Sequence, residues 1–339
     1  MTRSRPTFAL LASMALLSAA PGAAAQGSSA AIKPAVVFDL GGKFDKSFNE
    51  SVHDGAEAFQ KRTGIPVREF EPQTDSQREQ ALRDFARRGA DPILAVGFAQ
   101  ASAVTAAAKE FPNTRFVIID SVVDAPNVQS VVFREEQGAY LAGLLGALKS
   151  QTGKLGFVGG MDVPLIRKFA CGYAQGAVAG KPGTQVLQNM TGSTGAAWND
   201  PVRGAELARS QIERGADVVF QAAGATGIGV LQAAADAGKL GIGADSDQDS
   251  LHPGHMLTSV VKRVDVAADR AFTAAQDGTW KPGTTVLGLA DDGMALAFDD
   301  ENASLVTAAM RAQVEQAKAD IIAGRVQVHD YTTDGACPL

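Results

Sequence analysis

Val36-Val37-Phe38-Asp39-Leu40-Gly41-Gly42-Lys43-Phe44-Asp45-Lys46-Ser47-Phe48-Asn49-Glu50 contains the transition that decides the fold. The apolar run Ala35–Phe38 is short and flanked by breakers, as a buried parallel strand should be. A polar, glycine-containing loop follows. Ser47 with Glu50 three residues on has the spacing of a capping box, which predicts a helix start at Ser47. In an open α/β sheet, ligands bind outside the carboxyl ends of the strands. Asp39, Asp45, Phe48 and Asn49 all fall on this loop and first turn, so a ligand is expected here.

The rest of the chain repeats the same grammar. Strands are predicted at Val67–Phe70, Ile93–Val96, Phe116–Ile119 and Val128–Phe133, with helices at Ser47–Arg62, Ser76–Arg88, Gln100–Glu110 and Glu135–Lys149. A second series has strands at Leu155–Val158, Gln185–Met190, Val218–Gln221, Gly241–Ala244 and Leu257–Val261. Its helices are Pro164–Val178, one that Asp200 caps and Pro201 opens, Gly227–Ala237 and Val264–Asp277. Val286–Leu289 and Met294–Phe298 read as a hairpin across Asp292-Gly293. A long helix is expected at Ala303–Ala323 and a last strand at Val326–His329. Arg88-Gly89-Ala90-Asp91 and Arg214-Gly215-Ala216-Asp217 echo one another, each as a helix stop before a strand, and Gly41-Gly42 and Gly159-Gly160 follow the first strand of each series. Two similar βα lobes are the economical reading.

Composition limits the function classes. The chain has 339 residues, a net charge of −6, and is 45% hydrophobic and 20% charged, which suits two soluble lobes and gives no basic surface for nucleic acid. Residues 1–25 read as a cleaved signal peptide: Arg3 and Arg5, the apolar stretch Phe8–Ala20, then Ala23-Ala24-Ala25. No cysteine stands at that site, so the expected product is periplasmic and not lipid-anchored. Two cysteines, Cys171 and Cys337, favour one disulfide in an oxidising compartment, with two separate buried thiols as the competing reading.

Most chemical motifs fail on inspection. Gly224-Ala225-Thr226-Gly227-Ile228-Gly229 lacks the G-x-G-x-x-G order, and Gly41-Gly42-Lys43 lacks Walker spacing. Asp245-Ser246-Asp247-Gln248-Asp249 starts like a calcium loop, but Ser250 and Met256 replace the glycine and glutamate it needs. His252 and His255 have no third ligand. No nucleophile motif appears, so neither an enzyme nor a resident cofactor or metal is expected. Carboxylates that end strands do stand out: Asp39, Asp120 and Asp245. Such positions face the cleft of a two-lobed α/β protein and can accept hydrogen bonds from ring N–H groups or sugar hydroxyls. Phe48 and Phe220, if paired across the cleft, could sandwich a flat ring.

Asp45-Lys46-Ser47-Phe48-Asn49, Gly156-Phe157-Val158-Gly159-Gly160, Asn199-Asp200-Pro201-Val202-Arg203-Gly204, Ala222–Gly229 and Val261-Lys262-Arg263-Val264-Asp265 together resemble the basic membrane protein (BMP) family of substrate-binding proteins, which includes PnrA-like purine nucleoside receptors. The resemblance spans most of the mature chain in the same order. It implies an α/β type I periplasmic-binding-protein fold, two lobes joined by three hinge crossings, and delivery of ligand to an ABC permease in the inner membrane by a monomer. It places Asp39, Phe48, Asn49 and Asp120 on the first lobe's side of the site, with Phe48 stacking on the base. Phe220 and Gly224 are implied for second-lobe stacking and backbone contact, and Asp245 and Lys262 for the ribose hydroxyls. Ala225 departs from a glycine found in many members, which would narrow the backbone approach. Expected lobe one is 33–133 plus 258–286, and lobe two 134–257 plus 287–339. The return to lobe one is expected at Leu257–Val261, and the long C-terminal helix on lobe two beside Cys171. A purine nucleoside is the expected cargo; a flavin, another ring compound or a sugar on the same fold, an exported nucleoside hydrolase, and a signalling receptor are the alternatives.

Overall fold

The computed structural model describes residues 1–2 and 32–339; the predicted signal peptide therefore lies almost wholly outside the described residues. In chain order the elements are β1 (Ala35–Val37), α1 (Phe48–Thr63), β2 (Arg68–Phe70), α2 (Asp75–Arg87), β3 (Ile93–Ala95), α3 (Ala101–Glu110), β4 (Phe116–Ile119), β5 (Val128–Phe133) and α4 (Glu135–Lys149). There follow β6 (Lys154–Met161), α5 (Pro164–Gly180), β7 (Gln185–Gly192), α6 (Pro201–Glu213), β8 (Val218–Ala222), α7 (Thr226–Asp236), β9 (Leu240–Asp245) and β10 (Met256–Lys262). The chain ends with α8 (Val264–Gln276), β11 (Gly283–Leu287), β12 (Met294–Leu296) and α9 (Ala308–Ile322).

The strands form two sheets, ordered β11-β5-β4-β3-β1-β2 and β12-β10-β9-β8-β6-β7. Each sheet is parallel apart from β12, which runs antiparallel to β10. The orders match strand for strand, so the chain folds as two α/β lobes of one design. Val36, Val37, Ile93, Leu94, Val117 and Ile118 are fully buried, which explains why these strands read as continuous apolar runs rather than alternating ones. In the second lobe α4 packs along α5. A Cβ at Gly143 would sit 2.0 Å from the Tyr173 carbonyl oxygen and one at Gly176 1.8 Å from that of Tyr140, so glycine sets the spacing of the two helices.

Four expectations change. Ser47 does not cap α1. The Asp45 carboxylate does, accepting from the backbone N–H of Ser47, Asn49 and Glu50 at 2.9, 3.0 and 3.1 Å. Asp45 lies close enough to the helix start to reach two of its open N–H groups, those of Asn49 and Glu50, as well as that of Ser47 just before it. The two strands predicted as a hairpin do not pair with one another; the change of lobe expected after residue 286 falls between them. β11 pairs with β5 in one sheet and β12 with β10 in the other, and the turn between them carries Asp292 at φ 53°. All of β10 belongs to the second sheet, so the chain returns to the first lobe at Arg263, beyond the expected 257–261. Val326–His329 is not a strand. His329 is tied to Gln175 on α5 instead, its N–H donating to Oε1 at 2.9 Å and its carbonyl accepting from Nε2 at 3.1 Å. A Cys171–Cys337 disulfide closes the same seam. Asp200 caps α6 as expected, accepting from the Arg203 N–H at 2.9 Å.

Candidate functional site

The carboxyl ends of both sheets face one another across a cavity between the lobes. From the first lobe it is lined by Asp39, Leu40, Asp45, Phe48, Asn49, Gly97, Phe98 and Asp120. From the second come Leu165, Ile166, Phe169, Trp198, Ala222, Gly224, Asp245 and Lys262. Of the eight residues expected at a ligand site, seven line this cavity. Phe220 does not. It is fully buried in the second lobe's core, with its ring centroid 5.4 Å from that of Phe157 and 5.1 Å from that of Tyr173. Its strand has both faces covered, so alternation could not tell cleft from core. Ala225 also stays out of the cavity, in an ordinary right-handed conformation at the start of α7, so its methyl group does not narrow the site.

The second lobe's aromatic wall consists of Phe169 and Trp198, which sequence reasoning missed. Trp198 sits in the loop between β7 and α6, and loop aromatics were the available signal in a chain with 6% aromatic residues. Its ring lies on Gly160, where a Cβ would come 2.2 Å from Trp198 Cζ3. That close approach explains the glycine at the end of β6. Phe98, just after β3, meets Trp198 edge-on at 6.4 Å between centroids.

The first-lobe polar groups are largely locked. Asn49 Oδ1 accepts from the Asp39 N–H at 3.0 Å, and its Nδ2 donates to Asp45 Oδ2 at 3.2 Å. Asp39 is ion-paired with the buried Arg78. Burial pushes the Asp39 carboxyl above the ordinary carboxylate range, and Arg78 opposes this. Burial likewise raises Asp45, to about 7, against the three backbone donors that favour its ionised form.

Asp120 follows β4 and Asp245 ends β9, each in the left-handed region at φ 68° and 66°. Such backbone is uncommon away from glycine and costs energy that a functional position can repay. Each carboxylate is held by the opposite lobe. Asp245 Oδ2 accepts from Ser47 Oγ at 2.6 Å, which is where the expected capping hydroxyl goes. Ser246 Oγ donates to the Ser47 carbonyl at 2.9 Å and Gln248 Nε2 to that of Lys46 at 2.8 Å, so this corner is a polar latch between lobes. Asp120 Oδ2 accepts from Lys262 Nζ at 2.7 Å, whereas Asp120 Oδ1 is buried with no partner among the described residues. Lys262 is 2% exposed and also pairs with Glu135 Oε1 at 2.9 Å. Burial pulls the Lys262 ammonium down; Asp120, Glu135 and Asp245 outweigh that, and it sits above the usual lysine range. Burial pushes Asp120 up to about 6 despite Lys262. The site therefore offers four carboxylates, one ammonium and four aromatic rings. That set suits a neutral, flat ligand with several N–H or O–H donors.

Asp247, Asp249 and Asp299 lie close together away from the cavity. Asp249 is occupied by Ser259 Oγ at 2.6 Å and Asn302 Nδ2 at 2.6 Å, so the cluster is a hydrogen-bonded turn.

A family model described as ABC transporter substrate-binding protein PnrA-like matches residues 32–332. A protein of Lactococcus lactis named an ABC transporter nucleoside-binding protein is 32% identical, over 94% of this chain and 96% of its own. An uncharacterized lipoprotein of Pyrococcus abyssi is 33% identical over 78% of this chain and 68% of its own. That name runs against the expected absence of a lipid anchor, and the segment concerned lies outside the described residues. Among solved structures, a solute-binding protein of an ABC transporter system from Aeropyrum pernix superimposes with a TM-score of 0.81 at 26% identity, covering 88% of this chain and 93% of that one. With its two parallel-sheet lobes closing on one cavity, and matched over nearly all its described length, this chain belongs to the PnrA-like (Bmp) family of ABC transporter substrate-binding proteins.

Proposed function

We propose that the cleft captures a purine nucleoside outside the cytoplasm and presents it to an ABC permease. The observation that carries this reading is the lining of one cavity by aromatic rings from both lobes together with Asp120 Oδ1, a buried acceptor without a donor. An unpartnered buried acceptor costs free energy until a ligand donor reaches it. A purine ring fits between the aromatic walls, and its ring N–H or amino group supplies that donor. Lys262, with two of its three protons committed, and Asp245, with Oδ1 left over, serve the ribose hydroxyls. The nucleoside-binding name of the Lactococcus lactis relative supports the same cargo.

With Asp39 balanced by Arg78 and one further carboxylate by Lys262, the lining still holds more carboxylates than cations and sets a charge filter: a phosphate group on the sugar would meet negative charge. Titration calorimetry with guanosine, inosine, adenosine, uridine and guanosine monophosphate tests the reading. Purine nucleosides are expected to bind and the monophosphate to bind at least about 100-fold more weakly, which corresponds to about 2.7 kcal/mol. Equal binding of the monophosphate, or no binding of any purine nucleoside, would overturn it. Inosine is expected to be recovered uncleaved after incubation.

A further inference from the structure

Behind the cavity the ion pair of Lys262 continues into a chain of charges, Glu135, Lys168, Glu136 and Asp330, that lies outside the cavity lining and is buried apart from Asp330. Glu135, the first residue of α4, uses one oxygen for each of two lysines: Oε1 lies 2.9 Å from Lys262 Nζ and Oε2 2.9 Å from Lys168 Nζ. Lys168, on α5, donates to the Phe133 carbonyl at 2.7 Å and lies 3.3 Å from Glu136 Oε2 and 3.4 Å from Asp330 Oδ2. Glu135 stands just past the first crossing between lobes and Lys262 just before the second, so the two crossings are joined through this pair.

Five carboxylates face this chain, namely Asp120, Asp245, Glu135, Glu136 and Asp330, against two ammonium groups. With anions in excess, the share of each cation decides which carboxylate stays ionised. We propose that Lys168 is a positioning residue for ligand capture: by holding Glu135 it leaves Lys262 free to keep the Asp120 carboxylate charged, with its free oxygen open to the cleft. The inference rests on the cleft being the ligand site and not on the ligand being a nucleoside.

Without the Lys168 charge, Glu135 competes harder for Lys262, and Asp120 takes up a proton at higher pH. Loss of Asp330 acts in the opposite sense, because Lys168 then turns more fully to Glu135. The carboxyl titration of Asp120, followed by carbon-13 NMR in the ligand-free protein and assigned with Asp120→Asn, reads this directly. Lys168→Met is expected to move the Asp120 midpoint up by about one pH unit. Lys168→Arg should leave it in place, and Asp330→Asn should move it down by a few tenths. Affinity for guanosine is expected to fall up to about tenfold in Lys168→Met between the two midpoints and to recover above them.

A role for Lys168 in packing alone would lower the melting temperature and leave the midpoint unmoved; that result overturns the proposal. Should Lys168→Met fail to fold, the sign of the shift in Asp330→Asn, a half-exposed residue, decides it. Failure of the wild-type protein to bind guanosine would count against the proposed cargo, whereas the Asp120 midpoints stand independently of it.

Discussion

Asp120 and Asp245 occupy equivalent places in the two lobes. Each stands at the carboxyl end of the third strand in from the β11 or β12 edge of its sheet, and both have a positive φ, agreeing within 2°. Their partners differ. Asp120 meets an ammonium group that it shares with Glu135, and Asp245 meets the hydroxyl of Ser47, the residue before α1. One lobe thus reaches across with a charge near the crossings and the other with a neutral latch on the helix side. The same strand-end position has become a direct ion pair in one lobe, and in the other a carboxylate that is hydrogen-bonded to a hydroxyl and feels Lys262 only at longer range.

The contrast is broken most forcefully at Lys262. Lys262→Met strands three buried carboxylates, Asp120, Glu135 and Asp245, and is expected to lower unfolding free energy by about 3–5 kcal/mol in urea titrations. A comparable loss at Asp245→Asn would show that the two lobes do not differ as described. The two phenylalanines make a second pair. Phe220→Ala is expected to cost about 3–5 kcal/mol of stability through a core cavity. Phe48→Ala, at a partly buried side chain, should cost less stability and weaken binding of the proposed purine nucleoside by about 1–3 kcal/mol, read by calorimetry.

Those two positions also show where the sequence was legible. Strand ends could be read because apolar runs stop at Asp39, Asp120 and Asp245, and the α/β topology alone sends such ends to the cleft. The facing of Phe220 could not, because a strand buried on both sides carries no alternation. Ser47 failed for another reason. Its spacing to Glu50 is that of a capping box, but Asp45 is nearer the open N–H groups, and the partner that recruits the hydroxyl lies 198 residues away. The hairpin reading found the turn at Asp292 correctly. The local signal paired the flanking strands with one another, whereas the lobe change implied after residue 286 separates them; which sheet each joins is a matter of register with β5 and β10 and not of local chemistry.

Ser47→Ala separates the two roles of that hydroxyl. A latch predicts a loss of affinity of about tenfold, or roughly 1.4 kcal/mol, with the melting temperature nearly unchanged. A cap would lower the melting temperature and leave affinity alone. The smallest effect is expected at Asp299→Asn. Burial, followed by repulsion from Asp247 and Asp299, pushes Asp249 up to about 7 against its bonds to Ser259 and Asn302. A carboxyl whose folded value lies above its unfolded one supports the fold below about pH 4, and that support is lost as pH rises through about 7. Removing the Asp299 charge should therefore add on the order of 0.5 kcal/mol at pH 7.5 and nothing at pH 4.

The Cys171–Cys337 disulfide has a mechanical consequence. Both later crossings between the lobes, at Arg263 and at Gly288–Gly293, lie inside the ring it closes, so α8 and β11 of the first lobe sit within a covalent loop anchored on the second. Tension applied between residue 32 and the C-terminus passes from Cys171 straight to Cys337. The loop of 166 residues carries none of it, and about 580 Å of chain stays hidden from a pulling experiment until the bond is reduced.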